Sequence, residues 1–208
     1  MSEEETADRT PGETPRPERM LDAGALRALA HPLRVQIYDI LSQYGPQTAS
    51  TLAEMTGESS GSTSYHLRAL AKHDLIREVD DRGTGRERWW ERPKGPISFT
   101  NPDAIKTPSG KAATQVVMTE FLSRRHQQLM RYVGDMLVAP EGHADDDALI
   151  STATLRLNRE QLGELMTALQ GVIDDFTDRY RDQKGEGVRP ISVRADVFPL
   201  PAGAADSR

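Results

Sequence analysis

The chain carries a series of short helical patterns that leads directly into a β-hairpin pattern, and this order limits its fold more than any other feature. The longest helical pattern has apolar residues at steps of four, three and four positions, at Leu33, Ile37, Ile40 and Tyr44. These steps predict an α-helix with one buried face, which Pro32 begins and Gly45 ends. A shorter helix carrying Leu26 and Leu29 is predicted before it.

Two more short helices follow, and a tight turn joins them. The first runs from Thr48 to Thr56 and is closed by Gly57, and the second extends from about residue 60 to His73. Leu67 and Leu70 of the second helix fall on one face. Two helices of this length around a turn of a few residues predict a helix-turn-helix.

A hairpin pattern completes this part of the chain. Two strand-like runs, residues 75–79 and 87–92, flank a basic turn that contains Gly83 and Gly85, and such an arrangement predicts a β-hairpin. A hairpin directly after a helix-turn-helix is the wing of a DNA-reading unit whose second helix enters the major groove. We therefore predict a mainly α fold with small β (α+β), with a winged helix-turn-helix DNA-binding domain over residues 21–95.

The segments on either side of this domain have the composition of flexible chain. The first eighteen residues hold five glutamates and three prolines, so residues 1–20 are predicted to be a disordered acidic tail. Residues 93–110 hold four prolines and two glycines, so we expect residues 96–110 to form a linker or an extended arm. A loose tail is expected over residues 201–208.

Residues 111–200 are predicted to form a dimerisation module that also takes an unidentified small-molecule effector. The module begins with a long helix from Lys111 to Val138, whose apolar stripe a monomer of this size would have difficulty covering. We therefore expect a homodimer. The residues of the stripe are Met118, Leu122, His126, Leu129, Val133 and Leu137.

A strand–helix–strand C-terminal unit is expected after the long helix. Apolar residues alternate over residues 149–157 and again over residues 191–197, which is the period of a strand with one buried face. Between these segments, Asn158 and Gln161 have the spacing of a capping box at the start of a helix.

The charge balance has to be divided along the chain before it indicates a partner. The net charge of −6 argues at first against nucleic acid, because such partners favour a basic surface. Within Ser59–Lys94, however, eight basic groups stand against six acidic ones, and residues 1–20 alone contribute −3. The acidity therefore lies mainly outside the elements expected to face DNA.

Other classes of function have little support in the sequence. The chain has no cysteine, which excludes disulfides and thiolate metal sites, and its five histidines are scattered, so we predict neither a metal nor a cofactor. The motifs of nucleophile elbows, Walker loops and zinc proteases are missing, so we do not expect an enzyme. Without a membrane-length apolar run or a secretory signal, we expect a cytoplasmic protein with no membrane partner.

Candidate DNA contacts lie on the second helix of the helix-turn-helix and on the wing. A helical wheel places Tyr65 and Lys72 opposite the buried Leu67. Arg68 and His66 fall on the two flanks, and His66 could either touch DNA or pack against the preceding helix. Hydroxyls at the helix start can cap it or donate to phosphate, and arginines of the wing can hold the backbone. The candidate DNA-binding residues are Ser60, Ser62, Thr63, Tyr65, His66, Arg68, Lys72, Arg82, Arg86 and Arg88.

Several short motifs in this region are informative together: AHPLR at residues 30–34, LA at 52–53, SYHLRAL at 64–70, LI at 75–76 and WW at 89–90. In this combination the chain resembles the ArsR-like winged helix-turn-helix regulators of bacteria. The resemblance implies that the helix from Ser60 to His73 recognises an operator, that the protein binds as a two-fold dimer, and that the outcome is repression. The founding members sense metals through cysteines, which are missing here, so metal sensing is not implied. The C-terminal part more loosely resembles the extra domain of longer, actinobacterial-type members.

The sequence therefore predicts a sequence-specific DNA-binding transcriptional regulator, a repressor that acts as a homodimer on double-stranded operator DNA. Residues 60–73 would lie in the major groove, and wing residues 80–88 would lie on the backbone. The alternative is a winged-helix protein–protein adaptor that does not bind DNA.

Overall fold

The chain divides into two compact units, Met1–Asp147 and Ala148–Arg208. The computed structural model describes residues 19–80, 82, 87–93, 95, 97–99, 101–138 and 148–201. The sequence placed the start of the C-terminal module at residue 111. In the structure the long helix after that point belongs to the first unit, and the division falls between residues 147 and 148.

Four short helices open the first unit, and each begins at a residue that caps it. They are α1 (Ala23–Leu29), α2 (Pro32–Tyr44), α3 (Ala49–Thr56) and α4 (Ser60–Ala71). The side chains of the capping residues accept a backbone N–H of the first turn, which satisfies donors that have no partner inside the helix. These residues are Asp22, His31, Thr48 and Ser59. The order of the four helices agrees with the sequence pattern.

Short strands form two small sheets. They are β1 (Arg19–Met20), β2 (Gln47–Thr48), β3 (Arg77–Glu78), β4 (Trp89–Glu91) and β5 (Ile97–Ser98). One sheet has the order β2-β4-β3 and is antiparallel throughout. The pairing of β3 with β4 is the predicted hairpin, so the fold class, α+β with a winged helix-turn-helix, is confirmed. The strand β2 was not predicted, because two residues are too short to leave an alternating pattern.

The hydrophobic core lies among the four helices, the three-stranded sheet and the first half of a long helix, α5 (Pro108–Val138). The faces that α1 to α4 turn inward are the apolar faces that the sequence predicts, except that Tyr44 at the end of α2 is exposed. Trp90 of β4 adds a large ring to this core, with 8% of its surface exposed. The most deeply buried side chains include Leu26, Leu29, Ile37, Leu52, Leu67, Leu70 and Val117.

The helix α5 enters this core through a face that the sequence pattern did not indicate. Its buried residues Ala113, Val117 and Phe121 recur at steps of four. The ring of Phe121 packs with its centroid 4.6 Å from that of Phe99 and 6.2 Å from that of Tyr38. The two small side chains before Phe121 let α5 approach closely, so the larger stripe that includes Leu122 and Leu137 is left on another side.

The segment predicted as a linker is ordered structure in its described part. Strand β5 pairs in parallel with β1, and a 3-10 helix, Ala104–Lys106, precedes α5. A Cβ atom on Gly110 would lie 2.0 Å from the carbonyl oxygen of Ala104, so only glycine fits this close approach. The described part of this segment is therefore ordered and not a flexible linker, since it supplies a paired strand, a 3-10 helix and the close approach at Gly110.

The end of the predicted acidic tail is also part of the fold. Arg19 lies in β1, and its guanidinium donates to the carbonyl oxygens of His73 and Asp74 at 3.0 and 2.6 Å. These carbonyls follow the last turn of α4, so Arg19 stabilises the end of that helix. Residues 1–18 of the predicted tail lie outside the described residues.

The second unit contains the helix α6 (Arg159–Tyr180), which begins at the predicted capping box of Asn158 and Gln161. The two strands predicted around it, over residues 149–157 and 191–197, do not form within the described part of this unit. Alternation predicts which side of a strand is apolar, but a strand also needs a neighbouring backbone, and that neighbour is not supplied here. Residues 202–208 of the predicted loose tail lie outside the described residues.

Candidate nucleic-acid interface

The turn between α3 and α4 is fixed at both of its ends. Gly57 ends α3 in the left-handed conformation, with φ 72° and ψ 20°, which glycine adopts at little cost. Two residues later, the hydroxyl of Ser59 accepts the backbone N–H of Ser62 at 3.1 Å and caps α4. A short, capped connection of this kind holds the two helices at a defined angle.

The outward face of α4 is polar, aromatic and basic. Tyr65 is 62% exposed, and Arg68 and Lys72 are exposed farther along the same helix. Leu67 and Leu70 are fully buried on the opposite side. Within α4 itself there is no acidic residue. This face can therefore approach phosphates and the acceptor atoms of base edges without charge repulsion from its own helix.

The start of α4 presents hydroxyl groups. Ser60 is exposed and Ser62 is half-buried. The positive end of the helix dipole and the free backbone N–H groups of a first turn favour an anion such as phosphate. Both serines therefore remain in the candidate contact surface.

Thr63 has a structural position instead. Its side chain is fully buried, and its hydroxyl lies 2.8 Å from the carbonyl oxygen of Ala49 at the start of α3. This bond ties α4 to α3 and leaves the hydroxyl inside the fold. The prediction of Thr63 as a DNA contact is therefore corrected. Because Thr63 lies on the inward side of the first turn of α4, its hydroxyl bonds α4 to α3 instead.

His66 is also buried, with 8% of its surface exposed. Its ring centroid lies 4.6 Å from that of His31 at the start of α2 and 5.2 Å from that of Tyr65. The sequence left open whether His66 touches DNA or packs against the preceding helix, and the ring contact in the structure is with the start of α2 rather than with α3. The buried ring of His66 also lies against the exposed Tyr65.

The environment of His66 disfavours its charged form. Burial lowers the pKa of the ring below 6.5, the charges of His31 and Arg34 lower it further, and Glu58 opposes them. The Nδ1 atom of His66 has no hydrogen-bond partner among the described residues. A neutral ring therefore packs beneath the exposed face of α4.

The wing carries two cross-strand ion pairs that lower its free positive charge. Arg77 of β3 lies 2.6 Å from Glu91 of β4, and Arg88 lies 3.4 Å from Glu78. Arg77 and Glu91 stand directly opposite each other in the register. Folding the sequence about Thr84 would have found this pair, since residues 77 and 91 are equally distant from it. Arg88, which directly precedes β4, is paired with Glu78. Its guanidinium is therefore less available to a phosphate than the sequence predicted.

Arg82 remains available at the described edge of the wing. Its guanidinium carbon lies 4.0 Å from the ring centroid of Trp89, a cation–π contact that sequence spacing alone could not have found. The side chain is still exposed, and stacking leaves the edge of a guanidinium free to donate hydrogen bonds. The other predicted arginine of the wing tip, Arg86, lies outside the described residues.

The described residues contain no cluster of three or more histidine and carboxylate groups that could hold a metal ion. Throughout the same residues, every helix is too short or too polar to cross a membrane. The surface that brings several predicted site residues together is therefore the one formed by Ser60, Ser62, Tyr65 and Arg68 of α4 and by Lys72, which caps its end. We call these five residues the α4 surface.

Comparison with known proteins identifies the same region of the chain. Residues 29–79 match a family model described as a helix-turn-helix domain. No curated protein matches the chain. One solved structure, described as "Possible transcriptional regulator for arsenical resistance", is 27% identical, with 54% of this chain and 95% of that chain covered and a TM-score of 0.30. A TM-score this low does not establish a shared overall fold.

The matched segment contains α2, α3, α4 and β3, and with them most of the motifs that carry the resemblance to ArsR-like regulators. It also contains the whole α4 surface. Residues 29–79 therefore form a helix-turn-helix domain, and the resemblance of the chain to ArsR-like winged helix-turn-helix regulators is confirmed over this segment.

Proposed function

We propose that this protein is a non-enzymatic transcriptional repressor that binds double-stranded operator DNA as a homodimer. The α4 surface reads base edges in the major groove, and the wing lies along the neighbouring backbone. Bound at the operator, the protein excludes other proteins from the same DNA. Arg68 and Tyr65 read or frame bases, whereas Lys72 and Arg82 hold phosphates.

The observation that carries this proposal is the composition of the outward face of α4. Two exposed cations, Arg68 and Lys72, flank an exposed tyrosine on the helix that follows the turn of a helix-turn-helix. Neither cation makes an ion pair with the described residues, although the wing cations Arg77 and Arg88 do. Cations left without an acidic partner are available to phosphates and to guanine edges.

The homodimer is supported by apolar groups that the first unit leaves uncovered. Along α5, Leu122, Met130 and Leu137 are 47%, 52% and 73% exposed. A second copy could cover this side of the helix, and a two-fold dimer would place two α4 helices about one turn of DNA apart. No feature of the described residues indicates a bound small molecule, so the effector stays a prediction of the sequence.

A binding titration of the full chain tests the function. A DNA site is first enriched from a random duplex library, and the affinity for it and for a scrambled duplex is then measured by fluorescence anisotropy. We expect one enriched sequence, tighter binding to it than to the scrambled duplex, and a loss of affinity between about 50 and 200 mM salt, because phosphate contacts release counterions.

Two results of this titration would contradict the proposed function. If no sequence is enriched and affinity for DNA is weak and independent of salt, the protein does not read DNA, and the adaptor alternative takes its place. If DNA binds with salt dependence but without sequence preference, the assignment of α4 as a reading helix is wrong.

A further inference from the structure

We propose that the C-terminal unit, residues 148–201, is completed by the same unit of a second copy, with backbone pairing between the extended segments 149–157 and 191–197 of the two chains. We call these residues the C-terminal module. This inference rests on the homodimer of the proposed function and adds, to the contact proposed along α5, a second contact through which the two chains join. The partner is a second copy of this chain.

The helix of the module has an apolar face that stays largely open among the described residues, where the guanidinium of Arg179 lies over the rings of Phe176 and Tyr180. No residue of α6 is buried. Its apolar side chains nevertheless recur at steps of four, three, four, three and four, which is the pattern of one continuous face. This face comprises Leu162, Met166, Leu169, Ile173, Phe176 and Tyr180. A folded unit of this length would not keep such a face in water without a partner.

The extended segments 149–157 and 191–197 also have apolar side chains and no paired neighbour within the described part of the module. In residues 191–197, Ile191, Val193 and Val197 alternate with the polar Ser192, Arg194 and Asp196. In residues 149–157, the side of Leu149, Ala153, Leu155 and Leu157 also holds Ser151, and the other side holds Ile150 beside Thr152, Thr154 and Arg156. Within the described part of the module, neither segment makes a backbone hydrogen bond to another segment. Each therefore has one apolar face to bury and two open edges to pair.

The connection between the first segment and α6 disfavours closure within one chain. Asn158 alone separates Leu157 from the first residue of α6, and it is fixed as the helix cap with φ −77° and ψ 176°. Connections that fold a helix back over its own strand usually have about two to six residues. A connection this short keeps the helix from covering its own segment, and short connections of this kind favour exchange between identical chains.

The exposed apolar area of the module is large enough for the interface of a stable dimer. Ten exposed apolar side chains on these faces would give about 1,000 Å² per copy if each contributes about 100 Å², whereas a standard interface buries about 800 Å² per partner. They are Leu149, Leu155, Leu157, Met166, Leu169, Phe176, Tyr180, Ile191 and Val193, together with Val172 at the margin of the α6 face. The lengths also agree, because a nine-residue strand and a 22-residue helix each span about 30 Å.

The charges of the module fit a second copy better than a strongly charged partner. Residues 148–201 hold seven basic and eight acidic side chains, which nearly cancel. On the polar side of the second segment, Arg194 lies 3.0 Å from Asp196 and the two neutralise each other. Two copies therefore meet without net repulsion, and each supplies the strand edges that the other needs.

The direct test is an NMR experiment on full-length protein that mixes copies with different isotope labels. Isotope-filtered NOEs then report only contacts between copies. We expect cross-copy NOEs between methyl groups of residues 149–157, 191–197 and α6, together with slowed amide exchange in both segments. If the module shows only contacts within one copy, or if the amides of both segments exchange freely, the proposal is overturned.

Two variants of the same segment provide a matched comparison. Val193→Asp places a charge on the apolar face, whereas Ser192→Asp places one on the polar face. We expect Val193→Asp to raise the dimer dissociation constant at least about tenfold and to remove amide protection from both segments, and Ser192→Asp to change the constant less than about twofold. Equal behaviour of the two variants would contradict the inference. Trp89 and Trp90 fluorescence verifies that the first unit stays folded.

These measurements use no DNA, so they separate the inference from the proposed function. A chain with cross-copy contacts in the module but no salt-dependent DNA binding refutes the regulator and leaves the interface. A chain that reads DNA but lacks those contacts refutes the interface and leaves the regulator.

Discussion

Arg68 and Arg82 are both proposed to contact DNA, but their different surroundings indicate different roles. Arg68 lies exposed on the outward face of α4 and makes no ion pair with the described residues, so its guanidinium is free to meet a base edge. Arg82 lies against the ring of Trp89 on the wing. A side chain held in this way is suited to a fixed phosphate contact that carries no sequence information.

We predict that Arg82→Ala weakens binding to all duplexes by a similar factor. The salt dependence should fall as well, by about one in the slope of log K against log salt, because one phosphate contact is lost. Anisotropy titrations at several salt concentrations measure the slope. Lys111→Ala, which removes an exposed charge at the start of α5, is the control and should leave the slope unchanged. A change of sequence preference in Arg82→Ala would contradict this role.

A second prediction concerns the buried His66. Its pKa is lowered below 6.5, chiefly by burial, so protonation favours the unfolded chain, whose histidine has the ordinary pKa. The stabilising effect of the neutral ring is therefore present above pH 6.5 and is lost as the pH falls from 6.5 through the lower folded value. Urea unfolding at about pH 7.5 and about pH 5.5 should show lower stability at the acidic pH.

The variant His66→Gln identifies the source of this pH dependence. The difference in unfolding free energy between the two pH values should shrink in His66→Gln. The exposed His126 on α5 is a matched position, and His126→Gln should leave the difference as in the wild type. If both variants behave alike, another group causes the acid sensitivity.

At the scale of elements, α5 is as much part of the winged helix-turn-helix core as α1 to α4 are. Besides its apolar contacts, Arg124 of α5 lies with Nε 3.5 Å from the carboxylate of Asp39, which is buried in α2. Removing one partner of such a pair would leave a buried charge without compensation. The first half of α5 therefore stabilises the core of α1 and α2 on which α4 packs.

We predict that Phe121→Ala lowers the unfolding free energy by about 3–5 kcal/mol, since it leaves a cavity beside Tyr38 and Phe99. Val116→Ala, at an exposed position of the same helix, should change it by less than about 0.5 kcal/mol. Urea unfolding followed by tryptophan fluorescence compares the two. Equal effects would mean that α5 does not belong to this core.

The elements also show how far the sequence could predict this fold. The helices from α1 to α4 and the hairpin were predictable, because each has a capping residue or a turn glycine and a regular apolar period. The packed face of α5 was missed because Ala113 and Val117 are smaller than the residues of the neighbouring stripe. Strand β2 forms by pairing with distant backbone, and the strands predicted around α6 lack such a partner in the described part of their unit, which local alternation does not report.

The candidate site was predictable to a similar extent and for the same reason. The helical wheel placed Tyr65 and Lys72 on the outward face correctly, but it put Arg68 and His66 on equivalent flanks, of which the structure exposes the first and buries the second. It could not place Thr63, whose partner is Ala49 of α3, or His66, whose neighbour is His31 of α2. Contacts with other helices therefore decide which polar side chains of α4 stay exposed.

At the scale of the whole molecule, we propose a different role for each of the two units. The first unit, Met1–Asp147, presents the α4 surface, and the second, Ala148–Arg208, joins two chains. A dimer doubles the number of phosphate contacts and fixes the spacing of two half-sites. The central claim of this account is that α4 reads DNA sequence within such a dimer.

The specificity ratio of Arg68→Ala tests that claim most directly. The ratio is the affinity for the enriched site divided by the affinity for a scrambled duplex at one salt concentration, with Lys111→Ala as the charge-matched control. We predict that Arg68→Ala loses about 1–3 kcal/mol on the enriched site and much less on the scrambled one, so that its ratio falls. An Arg68→Ala ratio equal to that of the wild type and of Lys111→Ala would contradict the account.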